Sequence, residues 1–179
     1  ILLSCTILFS ACSSDKAETT TKAVKEKLII AQDGEPKSLD VHQGNDGFSL
    51  RANKLIYSRL VESDGDMNII PGLAESWEQI DDKTMQFKLR KGVKFHNGYD
   101  FTAEDVKFSF DRMANSPRIA FVLPPIEKVE VVDDYTVNIV TKTPFGPLLA
   151  HLSHPALGIV SKKLITEDEQ SFKEHPIGT

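Results

Sequence analysis

The order in which hydrophobic periods follow one another constrains this chain more than any other feature. From Thr84 to Arg90, Met85, Phe87 and Leu89 alternate with polar residues, the pattern of a strand with one buried face. A helical period follows at Val106, Phe110 and Met113. Two further strand-like runs, Lys128–Val132 and Tyr135–Val140, then flank Asp133-Asp134, as a β-hairpin requires. Strands and helices in this succession do not alternate as a doubly wound sheet demands, so a mixed α+β body is predicted.

The helix between these strands has the fullest set of local signals. Thr102 suits its N-cap, and Glu104 and Asp105 meet the positive end of its dipole. Phe101 before the cap and Val106 after it are spaced for a hydrophobic staple, and Asn115-Ser116-Pro117 ends the run. Upstream, Leu28-Ile29-Ile30-Ala31 reads as a short strand. Gln32–Asp40, with Gly34 and Pro36, reads as an irregular loop. Leu50, Ile56 and Leu60 predict a helix over Phe48–Leu60. Asp64-Gly65-Asp66 and Asp81-Asp82-Lys83 read as turns, with Ile69–Ala74 leading to a segment that ends at Trp77. Pro147 suits the first turn of a helix through Leu152, Leu157–Val160 reads as a strand, and Ser161 caps a last helix to about Phe172.

The beginning of the chain has a different character. Ile1–Ala11 is apolar but about half the length a membrane span needs, which fits the hydrophobic region of a secretory signal. It ends in Phe9-Ser10-Ala11-Cys12, which resembles the bacterial lipoprotein signal with Phe9 where Leu is usual, and this makes Cys12 the expected lipidation site. Leu2-Leu3-Ser4-Cys5 also fits, but further apolar sequence follows it. Ser13–Lys27 is polar and aperiodic and reads as a flexible tether. With no initiating Met and a Pro-Ile-Gly-Thr ending, both ends are expected to be truncated.

Several chemistries find no support in these residues. The net charge of -5 and the absence of a basic cluster argue against nucleic-acid binding. Both cysteines fall within the first twelve residues, which leaves the body without a disulfide framework, a Cys-rich metal site or a Cys nucleophile. There is no phosphate loop, no nucleophile elbow and no His-Glu-x-x-His. His151 and His154 are three apart but lack a third ligand, so no metal and no cofactor is expected. His42, His96 and His175 read as surface or turn residues. Paired carboxylates such as Asp81-Asp82 sit at predicted turn tips, where they stay solvated. Catalysis is not expected.

The runs Pro71-Gly-Leu-Ala-Glu-Ser-Trp-Glu78, Phe87-Lys-Leu-Arg-Lys-Gly-Val-Lys-Phe-His-Asn-Gly98 and Phe101-Thr-Ala-Glu-Asp-Val-Lys-Phe-Ser-Phe110 closely resemble the family 5 bacterial extracellular solute-binding proteins. Gly34–Asp40 resembles that family's first loop, and Pro176–Thr179 the return of its chain to the first lobe. The resemblance implies an α/β protein of the two-lobe periplasmic-binding-protein-like II fold, of which this chain is a mixed α+β portion of lobe I. Residues 1–12 would be a signal remnant, 13–27 the tether, 28–64 the start of lobe I, 65–165 its accessory subdomain and 166–179 the return towards lobe I. The implied function is a lipid-anchored, extracytoplasmic, monomeric substrate-binding protein of an ABC importer, carrying peptides or similar solutes to the permease. Alternatives are a nickel chelate, haem or glutathione as cargo, or a surface lipoprotein acting as adhesin or chaperone. Without a second lobe this chain alone is not expected to bind solute with full affinity.

The best binding candidates are the loop residues Gly34, Glu35, Pro36 and Ser38, then Asn45, Asp46, Gly47 and Phe48. They follow a predicted strand and precede a helix N-terminus, where backbone N–H groups are free. His154, before the predicted strand at Leu157, is a weaker candidate.

Overall fold

The structure, a computed structural model, describes residues 29–179. Its elements run α1 (Gly47–Asn53), β1 (Val61–Ser63), β2 (Ile69–Pro71), β3 (Ala74–Gln79), β4 (Thr84–Leu89) and α2 (Ala103–Ala114). After a 3-10 turn at Ala120–Val122 come β5 (Ile126–Asp133), β6 (Thr136–Thr141) and α3 (Leu148–Leu152). A second 3-10 turn at Pro155–Leu157 leads to α4 (Lys162–Glu167) and α5 (Glu169–Glu174).

Four strands form an antiparallel sheet in the order β3-β4-β6-β5, and β1 and β2 form a separate pair. Register explains why the period-two pattern works. Phe87 lies opposite Trp77 on one side and Val137 on the other, and Val137 in turn faces Val131. Directly opposed residues share a face, so Phe87, Val137, Ile139 and Val129 build one apolar layer, onto which α2 packs. The opposite face is polar: Gln86 Nε2 donates to Asn138 Oδ1 (2.9 Å) and Lys88 Nζ to Thr136 Oγ1 (3.2 Å). Each fully buried large side chain contributes roughly 1.5–3 kcal/mol, which makes this layer the main source of stability.

Helix α2 begins where its sequence predicts. Thr102 is the N-cap, and the carboxylate of Asp105 reaches back, its Oδ2 accepting from Thr102 N (2.9 Å). Its Oδ1 accepts from Lys162 N (2.8 Å), so one side chain secures the starts of both α2 and α4.

Four local expectations are corrected. Ile29–Ala31 form no strand, having no ladder partner among the described residues. The helix expected over Phe48–Leu60 stops at Asn53. Beyond it the carbonyls of Ser58, Arg59 and Leu60 accept from Ile159 N (2.9 Å), Leu73 N (2.8 Å) and Ala74 N (2.9 Å), long-range bonds that displace the helical set. Leu157–Val160 is a buried connection rather than a strand, since a 3-10 turn takes Leu157 and no ladder forms beyond it. The last helix is two helices. Asp168 N closes α4 on Leu164 O (2.8 Å), while Asp168 Oδ1 accepts from Ser171 N (2.9 Å) to open α5. That break lets Ile165 and Phe172 both enter a small second core with Val41, Tyr57 and Val160.

Candidate functional site

The candidate site is a cleft between the loop before α1 and the chain that leaves α2. Ser49 organises the first wall. It is fully buried, and its Oγ donates to Asp46 Oδ2 (2.6 Å) while accepting from the N–H groups of Lys37 (2.9 Å) and Ser38 (3.2 Å). Asp46 Oδ1 accepts from Phe48 N (3.2 Å) and Ser49 N (3.0 Å). These bonds hold the Asp46 carboxyl below its usual range, the Ser49 hydroxyl foremost. They also correct an expectation, because the N–H groups at the head of α1 are taken by Asp46 and are not free.

The loop is tied to α2 by a buried ion pair. Arg112 Nη1 and Nη2 donate to Asp40 Oδ1 (2.8 Å) and Oδ2 (2.5 Å). Burial alone would raise the Asp40 carboxyl, but the hydrogen bonds and charge of Arg112 outweigh it and keep the group ionised. His42, read from sequence as a surface or turn residue, is instead wholly buried, with Nε2 2.9 Å from the carbonyl oxygen of Gly158. Burial, assisted by the charge of Arg112, pushes its pKa down to about 4. The backbone carbonyl of His42 accepts from Ser116 Oγ (2.5 Å), which in turn accepts from Arg118 N (3.2 Å). One serine hydroxyl therefore joins the two walls.

Between those walls lies a cleft of about 460 Å³, lined by Lys37, Gln43, Asn45, Asp46, Pro117, Arg118 and Phe121. Phe121, on the 3-10 turn, is 73% exposed although it is a large aromatic side chain. A wider hollow of about 600 Å³ lies between the start of α2 and α4. Its polar groups are largely engaged with one another: Lys162 pairs with Glu104 and Asp100 with Lys94, the Tyr99 hydroxyl donates to Glu167, Asp105 accepts from Thr102 N and Lys162 N, and Lys163 lies over the Tyr99 ring.

Of the residues expected to bind solute, Asn45 and Asp46 line the cleft. Gly34 sits under the Phe48 ring, where a Cβ would come within 2.5 Å of ring carbons. Phe48 also stacks beneath Arg51, whose guanidinium carbon is 5.7 Å from the ring centroid. Ser38 Oγ accepts from Asp40 N (3.1 Å) and shapes the loop. Neither Glu35, Pro36 nor Gly47 lines the cleft. His154 caps the second 3-10 turn, its Nδ1 accepting from Ala156 N (3.2 Å), and burial lowers its pKa. Sequence reasoning missed Lys37, Gln43, Arg118 and Phe121. Only Pro117, as a helix stop, hinted that the chain turns there, and nothing linear joins it to residues 37–46.

Among the described residues no group of three or more His, Cys, Asp or Glu could hold a metal ion, and no helix is long and apolar enough to cross a membrane. Cys12 and the tether lie outside the described residues.

Residues 68–179 match the family model for bacterial extracellular solute-binding proteins, family 5 Middle. The glutathione-binding protein GsiB of Pectobacterium atrosepticum is 37% identical over 155 residues, covering 84% of this chain and 30% of that protein. DppA from Helicobacter pylori, solved with the peptide STSA, superposes with a TM-score of 0.70 at 31% identity, over 81% of this chain and 34% of that one. AgaA from A. tumefaciens R10, solved with agropinic acid, gives 0.74 at 32% identity, over 82% and 30%. The chain thus spans about 30% of the length of the curated relatives it matches.

Proposed function

The chain belongs to the family 5 bacterial extracellular solute-binding proteins, and on that premise we propose that it is the N-terminal portion of a receptor delivering small solutes to an ABC importer. The observation that carries this reading is the cleft itself. Its two walls are braced by buried bonds at Ser49, Asp40–Arg112 and Ser116, while its lining of Lys37, Gln43, Asn45, Arg118 and Phe121 stays exposed. Rigid walls with uncommitted polar groups and one exposed aromatic ring suit reversible capture by a second lobe closing over the solute. The cargo leaves chemically unchanged.

A peptide-like solute is the reading that the bound peptide of the Helicobacter pylori relative supports. Glutathione is the narrower alternative, favoured by curated relatives of that name at 35–37% identity. In this scheme residues 28–64 begin lobe I, 65–165 form its accessory subdomain and 166–179 return towards the lobe. Because Leu60 and Val61 share the large core with β4 and α2, lobe and subdomain would meet through one continuous apolar layer. Residues 1–12 and 13–27 would supply a signal and a tether, with Cys12 holding a monomeric receptor at the outer face of the membrane.

A thermal-shift screen of the full-length protein against dipeptides, longer peptides, glutathione, haem and nickel-histidine tests the proposal. One class should raise the melting temperature in proportion to the logarithm of its concentration. No shift from any class, in a folded protein, would refute solute capture. The anchor is tested separately, by the mass of the mature N-terminus and its loss of lipid in Cys12→Ser.

A further inference from the structure

We propose that the solute bears a carboxylate, held between Lys37 and Arg118, with its apolar portion laid against Phe121. This rests on the cleft being the solute site and goes further by naming the charge that the site selects.

Many of the charges on this chain are already spent. The chain as a whole is acidic, at -5, and its cations readily find partners: Arg59, Lys94, Lys107, Arg112 and Lys162 each lie within 4 Å of a carboxylate. Several surface lysines, Lys54, Lys83 and Lys142 among them, also lack a partner among the described residues, but only Lys37 and Arg118 bring two such cations into the lining of the candidate cleft. Among the described residues neither side chain makes a hydrogen bond or an ion pair, although both line the same cleft. Their backbones are nevertheless fixed, Lys37 N on Ser49 Oγ and Arg118 N on Ser116 Oγ. The two cations therefore project from anchored positions.

The one carboxylate in the lining, Asp46, stays ionised and offsets one of the two positive charges, but its oxygens are turned away to local donors. Asp46 directs Oδ2 to the Ser49 hydroxyl and Oδ1 to two backbone N–H groups, so its acceptor positions face the head of α1. The lining keeps a net positive charge, with two cationic side chains against one carboxylate, together with the amides of Gln43 and Asn45 and an aromatic ring. An amide-bearing acid matches all three: carboxylate for the cations, amide groups for Gln43 and Asn45, apolar carbon for Phe121. A cationic solute would meet repulsion from both Lys37 and Arg118. Each charge-assisted bond to a carboxylate is worth roughly tenfold or more in affinity.

The test is isothermal titration of the full-length protein with paired probes: the peptide STSA and its C-terminal amide, and glutathione and its diethyl ester. Each free acid should bind at least about tenfold more tightly than its carboxylate-capped counterpart, and this margin should shrink as ionic strength rises. K37A/R118A should erase the preference with an unchanged circular dichroism spectrum, because both side chains are exposed and unpartnered. K37R/R118K, which keeps both charges, should retain it. Equal binding of free-acid and capped probes, or a preference that survives K37A/R118A, overturns the inference but leaves the receptor intact. If no probe binds to folded protein, the inference and the receptor reading fall together.

Discussion

Lowering the pH should destabilise this fold well before its carboxylates titrate, and His42 is the reason. Its ring is wholly buried, Nε2 meets Gly158 O at 2.9 Å, and Nδ1 has no partner among the described residues. Burial, with the Arg112 charge behind it, moves the folded pKa from 6.5 to about 4. A histidine depressed in this way is neutral when folded and protonates first in the unfolded chain. Its stabilisation is whole above pH 6.5 and erodes as the pH falls towards 4. A gap of about 2.5 units at 1.36 kcal/mol per unit gives about 3 kcal/mol across that window. His154, also lowered by burial, acts in the same direction. Asp105, raised by burial, opposes the trend near the acid end, and the lowered Asp40 matters only below its ordinary 3.8. Urea unfolding followed by fluorescence of Trp77, the sequence's single tryptophan, reads this directly, because that ring packs 6.5 Å from Phe87. Between pH 6.5 and 5 the loss should be about 2 kcal/mol, or about 1 M in the urea midpoint at an m-value near 2 kcal/mol/M. His42→Gln keeps a donor for Gly158 O but removes the titrating ring, so only the shallower slope from His154 should remain. An unchanged wild-type midpoint over that range, or an equally steep His42→Gln slope, would refute the reasoning.

Arg112→Leu should cost about 3 kcal/mol at pH 7, because it strands the Asp40 carboxylate at 2% exposure. Its penalty should shrink towards pH 4.5 as Asp40, then raised by burial, takes up a proton; urea titrations at both pH values check this, and a growing penalty would contradict it. Phe87→Ala, at the centre of β4 and fully buried, should destabilise by about 3–5 kcal/mol in the same assay. Gly72→Ala should cost about 1–3 kcal/mol, because a Cβ there would collide with the backbone carbonyl of Arg59, which is itself bonded to Leu73 N. A neutral result would mean that the β2–β3 connection has room to move.

Strand β4, the β5–β6 hairpin and α2 were readable because their signals are local. Alternation at Met85, Phe87 and Leu89 states both the element and its buried face, and Thr102 with Asp105 marks a helix start within four residues. The short β1–β2 pair was not readable beyond its turn. Its strands are three residues each, too brief for a period to register. The length of α1 was misread for a different reason. Apolar spacing continued through Leu60, but the carbonyls of Ser58, Arg59 and Leu60 found partners far along the chain.

The same division runs through the site. The amino-acid order by itself determined the family, the strand at β4, the β5–β6 hairpin and helix α2, and Asn45 and Asp46 as loop residues beside a helix head. Only the tertiary structure brought Arg118 and Phe121 to that loop, since the link depends on Arg112 meeting Asp40 and Ser116 meeting the His42 carbonyl across more than seventy residues. It also decided that Asp46 serves the α1 backbone while Lys37 and Arg118 remain uncommitted. Periodicity and capping act within a turn or two of the chain. Burial and pairing of polar groups depend on which distant segment arrives, and that is settled only when the two cores close.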